Sequence, residues 1–332
     1  MARIRTVFFG SPEYAVPTLE RLAASAEIEV VLVVTQPDRP RGRHGAPEPT
    51  AVKALATRLG LPVYQPERLR RADTEHIASF GAAVGVVAAS GHILPTHLLE
   101  AFPREVLNVH ASLLPRHRGA SAIASALLAG DNETGATVMR VVREVDAGPI
   151  LGQARTPIGP LDTTATLTPR IAGLGAALLL DLLPRWVEGA IEAAPQDEAR
   201  VTDAPRLDKA DGVIDWSLPA LDISRRVRAF EPWPLATTTY RGAPFVIHAA
   251  WPLESSPDEA PGVPPGTVLA GDGAPLDARA VPGRTARAIV ATGRGALALL
   301  NVQRSGRRPV DIEAYLNGDP AFIGARLGEP AP

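Results

Sequence analysis

The chain of 332 residues has no cysteine. That absence excludes disulfides, a thiolate nucleophile and any metal site built on sulfur ligands. Lysine is almost missing: Lys53 and Lys209 are the only two, and the basic charge is otherwise arginine. An excess of positive charge is lacking as well. The formal net charge is −2, so no global basic field points to a nucleic-acid partner. No apolar run is read as reaching the roughly 20 residues of a membrane span. The start, Met1-Ala-Arg-Ile-Arg and a short apolar run to Gly10, reads as a first strand rather than a secretion signal. These absences predict a soluble, cytoplasmic protein with no membrane partner, taken as a monomer. What is present is globular: hydrophobic residues make up 45%, and the length suffices for two domains with their own cores.

Along the first half, short apolar runs alternate with helical spacing. Strands are predicted at Ile4 to Gly10, Ile28 to Thr35, Leu61 to Tyr64, Ala82 to Ala88 and Val106 to His110. Between them lie helices at Ala15 to Ala24, Thr50 to Leu59, Thr74 to Phe80 and Leu94 to Phe102. This alternation predicts an α/β fold with a doubly wound, mostly parallel sheet. After a helix at Ser121 to Ala129, strands at Thr134 to Val142 and Ile150 to Arg155 are close enough to be an antiparallel addition. A long apolar helix at Leu167 to Glu188 follows, with Pro169 in its first turn and Pro184 bending or interrupting it. The polar, proline-containing stretch 190–207 is read as a linker between domains 1–189 and 208–332. Beyond it, one amphipathic segment at Ser217 to Phe230 precedes short strands punctuated by Gly and Pro, which predict a smaller β-barrel.

The chemistry concentrates at Val106 to Gly119, a strand that breaks into a polar loop. Strand alternation sends Asn108 and His110 to one face and Leu107 and Val109 to the other. In an open parallel sheet, ligands collect outside the carboxyl ends of the strands, which is where Asn108 and His110 fall. A carboxylate is the expected third partner, because an imidazole in a site is usually oriented by one. Asp146, in Val-Asp-Ala-Gly, is the candidate, with Gly148 giving its loop backbone freedom. Amide, imidazole and carboxylate together suit acyl transfer to an amine. Two groups would donate to the oxyanion of a tetrahedral intermediate, and the carboxylate would favour the protonated ring and help move protons. Against this stand plainer roles: a structural histidine, an asparagine cap and a turn aspartate.

Other signals are weaker. The G-x-G-x-x-G pattern is missing after Gly10, so a dinucleotide site is not expected. His92 and His97 lie five residues apart with no third ligand nearby, and no metal is expected. Arg39, Arg41 and Arg43 form a basic loop tip that could meet phosphates. Arg225, Arg226 and Arg228 lie on a helix and suit either a solvated face or nucleic-acid contact. Trp216, Trp233 and Trp251 are expected to pack in the core or at a domain interface.

The run Asn108-Val-His-Ala-Ser-Leu-Leu-Pro-Arg-His-Arg-Gly-Ala-Ser121 resembles the signature of folate-dependent formyltransferases. Asp131-Asn-Glu-Thr-Gly-Ala-Thr and the Val-Asp-Ala-Gly loop follow in that family's order. Thr35-Gln-Pro-Asp-Arg-Pro40, Ile214-Asp-Trp216 and Arg228-Ala-Phe-Glu-Pro-Trp-Pro234 resemble landmarks of members that act on initiator tRNA. The resemblance implies a Rossmann-like catalytic domain at 1–189 and an OB-like, tRNA-binding domain at 208–332. It implies 10-formyltetrahydrofolate as formyl donor and co-substrate, without a metal, and the α-amino group of initiator methionyl-tRNA as acceptor. It assigns catalysis to Asn108, His110 and Asp146, and folate binding to the turn Ser112, Leu113, Leu114 and Pro115. Arg39, Arg41 and Arg43 are the tRNA-contact candidates. Formyltetrahydrofolate hydrolysis, sugar-nucleotide N-formylation and a non-catalytic folate- or RNA-binding module are the alternatives.

Overall fold

The computed structural model describes residues 2–40, 45–253 and 262–329. Arg41 and Arg43 lie outside the described residues. The chain forms two compact units: Met1–Ala122 with Glu133–Pro157 and Thr168–Ala204, and Ile123–Asn132 with Ile158–Leu167 and Pro205–Pro332.

The first unit is built on a seven-stranded sheet. Its strands are β1 (Ile4–Gly10), β2 (Ile28–Val34), β3 (Val63–Tyr64), β4 (Val84–Ala88), β5 (Val106–His110), β6 (Glu133–Arg140) and β7 (Ile150–Pro157). Their order across the sheet is β3-β2-β1-β4-β5-β6-β7. The first five are parallel, and β6 and β7 are added antiparallel. Burial explains their composition. Every residue of β4 is buried, as are the last five of β1, which is the pattern of strands covered on both faces. Helix α1 (Val16–Ala24) carries Pro17 in its first turn, where a missing N–H costs nothing. Helix α2 (Ala51–Arg58) is capped by the Thr50 side chain, which accepts from Lys53 N. Helices α3 (Arg71–Ala78), α4 (Thr96–Leu99) and α5 (Ala122–Ala129) follow in chain order.

The long helix α6 runs from Thr164 to Val187. It starts earlier than its apolar pattern suggested, so Pro169 sits beyond the first turn, and Pro184 does not interrupt it. Leu179, Leu182 and Leu183 are buried in the core with Phe8, Val86, Leu107 and Val109, and this burial outweighs the backbone bonds the prolines forfeit. By length and apolar content α6 is long enough to cross a membrane, which the run of residues alone did not reveal. In this fold one of its faces is core.

Of the segment read as a linker, residues 190–204 belong to the first unit. Ala194 exchanges backbone hydrogen bonds with Ile150 at 2.8 and 2.7 Å, and Arg118 N donates to Thr202 O at 2.9 Å.

The second unit holds a curled antiparallel sheet of β8 (Ala236–Tyr240), β9 (Ala243–Leu253), β10 (Val268–Ala270), β11 (Ala288–Ala291), β12 (Ala296–Arg304) and β13 (Val310–Asp311). The order is β8-β9-β12-β11-β10, with β13 on β12. Helix α7 (Ala220–Ala229) and helix α8 (Ile312–Gly318) belong with it. Tyr240, Phe245, Tyr315 and Phe322 pack edge-on or tilted at its centre. Trp216 is buried there and donates to Thr238 Oγ1 at 3.1 Å. Trp233 departs from the expected packing in a core or at a domain interface: it is 53% exposed.

Candidate active site

β5 delivers Asn108 and His110 to the carboxyl end of the sheet. Pairing with β6 fixes their register: Asn108 lies opposite Met139 and His110 opposite Thr137. The loop between β6 and β7 brings Asp146 over this strand end. Asn108 Nδ2 donates toward Asp146 Oδ1 at 3.4 Å. His110 Nδ1 faces Asp146 Oδ2, also at 3.4 Å. The residues that strand alternation and the Val-Asp-Ala-Gly loop singled out are thus brought together around one carboxylate.

Two shorter bonds hold this group. Gly119 N donates to Asp146 Oδ2 at 2.9 Å. His110 Nε2 lies 2.9 Å from His117 O. A carbonyl can only accept, so the network assigns a hydrogen to Nε2. Nδ1 then meets the carboxylate favourably when it too is protonated. The long contacts are the ones that can be exchanged for a substrate, since catalytic hydrogen bonds are often long before substrate binds. The Asn108 amide nitrogen has two hydrogens and spends one of them toward Asp146.

The backbone of the Asp146 loop is strained. Asp146 has φ +49°, a left-handed conformation that is costly for a residue with Cβ and most tolerated by Asp and Asn. Gly148 is needed for a different reason from the one expected. A Cβ there would lie 1.7 Å from Arg140 O, so close approach of backbone to backbone, rather than a left-handed φ, demands glycine.

Sequence reasoning missed the side chain that ties these loops together. Gln196 Nε2 donates to Asp146 O at 2.7 Å and to Gly148 O at 2.8 Å. Gln196 Oε1 accepts from Arg118 Nε at 3.0 Å and Nη2 at 2.9 Å. Arg118 also pairs with Glu198 at 2.7 Å, and this bond and the charge of Arg118 hold the Glu198 carboxyl below its ordinary range. No periodicity or motif marks Gln196, because its stretch forms no extended helix or strand.

The turn Ser112 to Pro115 is fastened to the two antiparallel strands. Thr137 Oγ1 donates to Ser112 O at 2.6 Å, Leu114 N donates to Thr137 Oγ1 at 3.2 Å, and Gln153 Nε2 donates to Leu114 O at 2.7 Å. Ser112 Oγ donates to Arg116 O at 2.7 Å. Ser112 and Leu114 are buried, while Leu113 and Pro115 are half-buried.

The remaining candidates lie elsewhere. Arg39 is exposed, on a two-stranded ribbon of Arg39–Pro40 with Pro47–Glu48. Asp38 before it is held by Lys53 Nζ at 2.6 Å and Gln65 Nε2 at 2.7 Å, bonds that lower its carboxyl pKa. His92 contacts Pro66 O at 3.0 Å, and His97 Nδ1 lies 2.8 Å from Thr74 Oγ1. Among the described residues no group of three or more metal-ligating side chains occurs. Arg225 pairs with Asp222 at 3.3 Å, and Arg228 donates to Asp162 O at 3.2 Å.

The chain matches the family model "Formyl transferase" over residues 3–183 and "Formyl transferase, C-terminal domain" over 206–320. It is 46% identical over 327 residues to a methionyl-tRNA formyltransferase of Roseiflexus castenholzii, covering 98% of this chain and 99% of that one. A methionyl-tRNA formyltransferase of Methylococcus capsulatus is 44% identical over 326 residues, covering 98% and 100%. Among solved structures, the sugar 3N-formyl transferase WlaRD, in the presence of dTDP and 5-N-formyl-THF, shares the fold. Its TM-score is 0.61 at 14% identity, covering 93% of this chain and 100% of that chain. By its sequence over nearly its whole length, this chain belongs to the formyl transferase family.

Proposed function

We propose that the protein transfers the formyl group of 10-formyltetrahydrofolate to the α-amino group of methionine on initiator tRNA. The convergence of Asn108, His110 and Asp146 at the end of β5 carries the chemistry. The full-length likeness to methionyl-tRNA formyltransferases, through the C-terminal match, supports the acceptor. Residues 1–189 serve as the catalytic domain and 208–332 help to hold tRNA, in a cytoplasmic monomer.

In this mechanism the methionyl amine attacks the formyl carbon, a C–N bond forms, and the carbonyl oxygen becomes an oxyanion. Asn108 Nδ2 and His110 Nδ1, each exchanging its long contact with Asp146 for the substrate, donate to that oxygen. The ring stays anchored through Nε2 on His117 O, and Asp146, kept in place by Gly119 N, takes the proton that the attacking amine sheds. As the bond from carbon to the folate nitrogen breaks, Asp146 passes that proton to the nitrogen and returns to a carboxylate, so no charge is left stranded. The donor set fits the folate substrate. Asn108 and His110 bring N–H donors to one small centre, and the turn Ser112 to Pro115 follows His110 almost directly in the chain. Val145, immediately before Asp146, is 72% exposed, and Ile93, in the loop leaving β4, is 92% exposed. We take both as candidates for apolar contact with the folate ring.

The test is an acceptor screen with 10-formyltetrahydrofolate and, separately, initiator methionyl-tRNA, amino-sugar nucleotides and water. Formyl transfer to methionyl-tRNA, well above the other two, is the expected outcome. Preferential formate release would assign a hydrolase, preferential sugar formylation a sugar enzyme, and tight binding without turnover a binding module.

A further inference from the structure

We infer that Gln196 is a positioning residue for Asp146, which builds on the catalytic role proposed above for that carboxylate. A primary amide has two N–H hydrogens and an oxygen that accepts twice. Gln196 spends all of them on the two loops that meet at the site. Its nitrogen donates to Asp146 O at 2.7 Å and Gly148 O at 2.8 Å, and its oxygen accepts from Arg118 Nε at 3.0 Å and Nη2 at 2.9 Å. Arg118 precedes Gly119, whose N–H donates to Asp146 Oδ2 at 2.9 Å. One side chain therefore fixes both the backbone that bears the catalytic carboxylate and the loop that supplies its shortest bond.

The Asp146 backbone needs such a hold. Its φ of +49° is a conformation that persists only where the surroundings impose it. Without the bond to Asp146 O, that peptide is free to relax, and the carboxylate swings with it. Gln196 in turn sits on backbone that is anchored on both sides. Ala194 is bridged to Ile150, Thr202 O accepts from Arg118 N, and Ala204 N donates to Arg118 O at 2.6 Å. His117 N donates to Thr202 Oγ1 at 2.9 Å. The strap thus keeps its place when the amide is changed, which makes the residue open to a clean test.

Gln196→Ala removes all four bonds. Gln196→Glu keeps an acceptor for Arg118 but cannot donate to Asp146 O or Gly148 O, so it isolates the half that holds the carboxylate. Both are expected to lower kcat for formyl transfer by about 100-fold, the cost of displacing a catalytic group by roughly 1 Å. KM for tRNA and for folate should stay within about threefold, and the thermal midpoint should stay close to that of the parent. The decisive measurement is the double-mutant cycle with Asp146→Asn, a change that keeps a side chain suited to the left-handed backbone. If Gln196 acts through Asp146, Gln196→Ala costs less than about threefold more in the Asp146→Asn background. A wild-type kcat in Gln196→Glu overturns the inference. So does an equal cost of Gln196→Ala in both backgrounds, because the residue then acts elsewhere. A wild-type rate in Asp146→Asn alone would instead overturn the catalytic reading beneath it.

Discussion

Asn108, His110 and Asp146 should fail differently when changed. Asn108→Ala removes one of the two oxyanion donors proposed above and leaves the ring–carboxylate pair, so a loss of about 100- to 1,000-fold in kcat is expected. His110→Ala and Asp146→Asn also remove proton handling, worth roughly 100- to 10,000-fold. Single-turnover rates at saturating folate and tRNA check this, since an effect confined to KM would mark a binding role. Gly148→Ala belongs to a different class. Its Cβ would lie 1.7 Å from Arg140 O, so backbone must move where Asp146 is held. Circular dichroism melting should show a lower midpoint together with lost activity; an unchanged pair of values would refute the close-approach argument. At this scale Asn108 and His110 were legible from strand alternation, and Asp146 from its loop together with the family resemblance. Gln196 was not, because its partners are two backbone carbonyls and an arginine about 50 and 80 residues away, and nothing local records them.

Elements were legible where burial writes a period into the chain. β1 and β4 are apolar because both of their faces are covered, and composition sets their bounds to within two residues. Element ends set by distant bonds were not legible. α6 begins at Thr164 because Thr164 Oγ1 donates to Ala229 O at 2.7 Å and Ala165 N donates to Glu231 O at 3.0 Å, partners more than sixty residues away. Nearby, His248 on β9 joins the turn that follows α7 to β12 in the second unit. Its Nδ1 lies 3.0 Å from Glu231 Oε2, beyond the end of α7, and its Nε2 lies 2.8 Å from Gln303 Oε1 on β12. The bond to Glu231, with that to Gln303 and the carboxylate charge, raises the His248 pKa above its ordinary 6.5 against the opposing effect of burial. A folded-state pKa above the unfolded one favours the folded state fully at pH below about 6.5. That contribution is lost as pH rises through the folded value. Urea midpoints measured from pH 6 to pH 9 should therefore fall on the alkaline side in the parent protein. In His248→Gln, which cannot titrate, this part of the fall should disappear; an identical pH dependence in both proteins would rule the pair out as its source.

At the scale of the molecule, charge sets how a polyanion can be held. Residues 205–332 carry 14 basic and 14 acidic side chains, so that stretch has no net pull on tRNA. Attraction must come from local concentrations of arginine, and Arg39, Arg41 and Arg43 form such a run in the sequence that follows β2. Each arginine that neutralises a phosphate releases condensed counterion, steepening the fall of affinity with salt by roughly 0.7–0.9 in log–log slope. Replacing all three by alanine should therefore flatten the salt dependence of the tRNA Kd by about 2–3 in slope and weaken binding most at low salt. Folate Kd should not change with the triple substitution. The same slope before and after, measured between 50 and 200 mM salt as in such titrations generally, would mean that these arginines meet no phosphate. Binding would then have to rest on arginines set among the balanced charges of residues 205–332, and the search for contacts would move there.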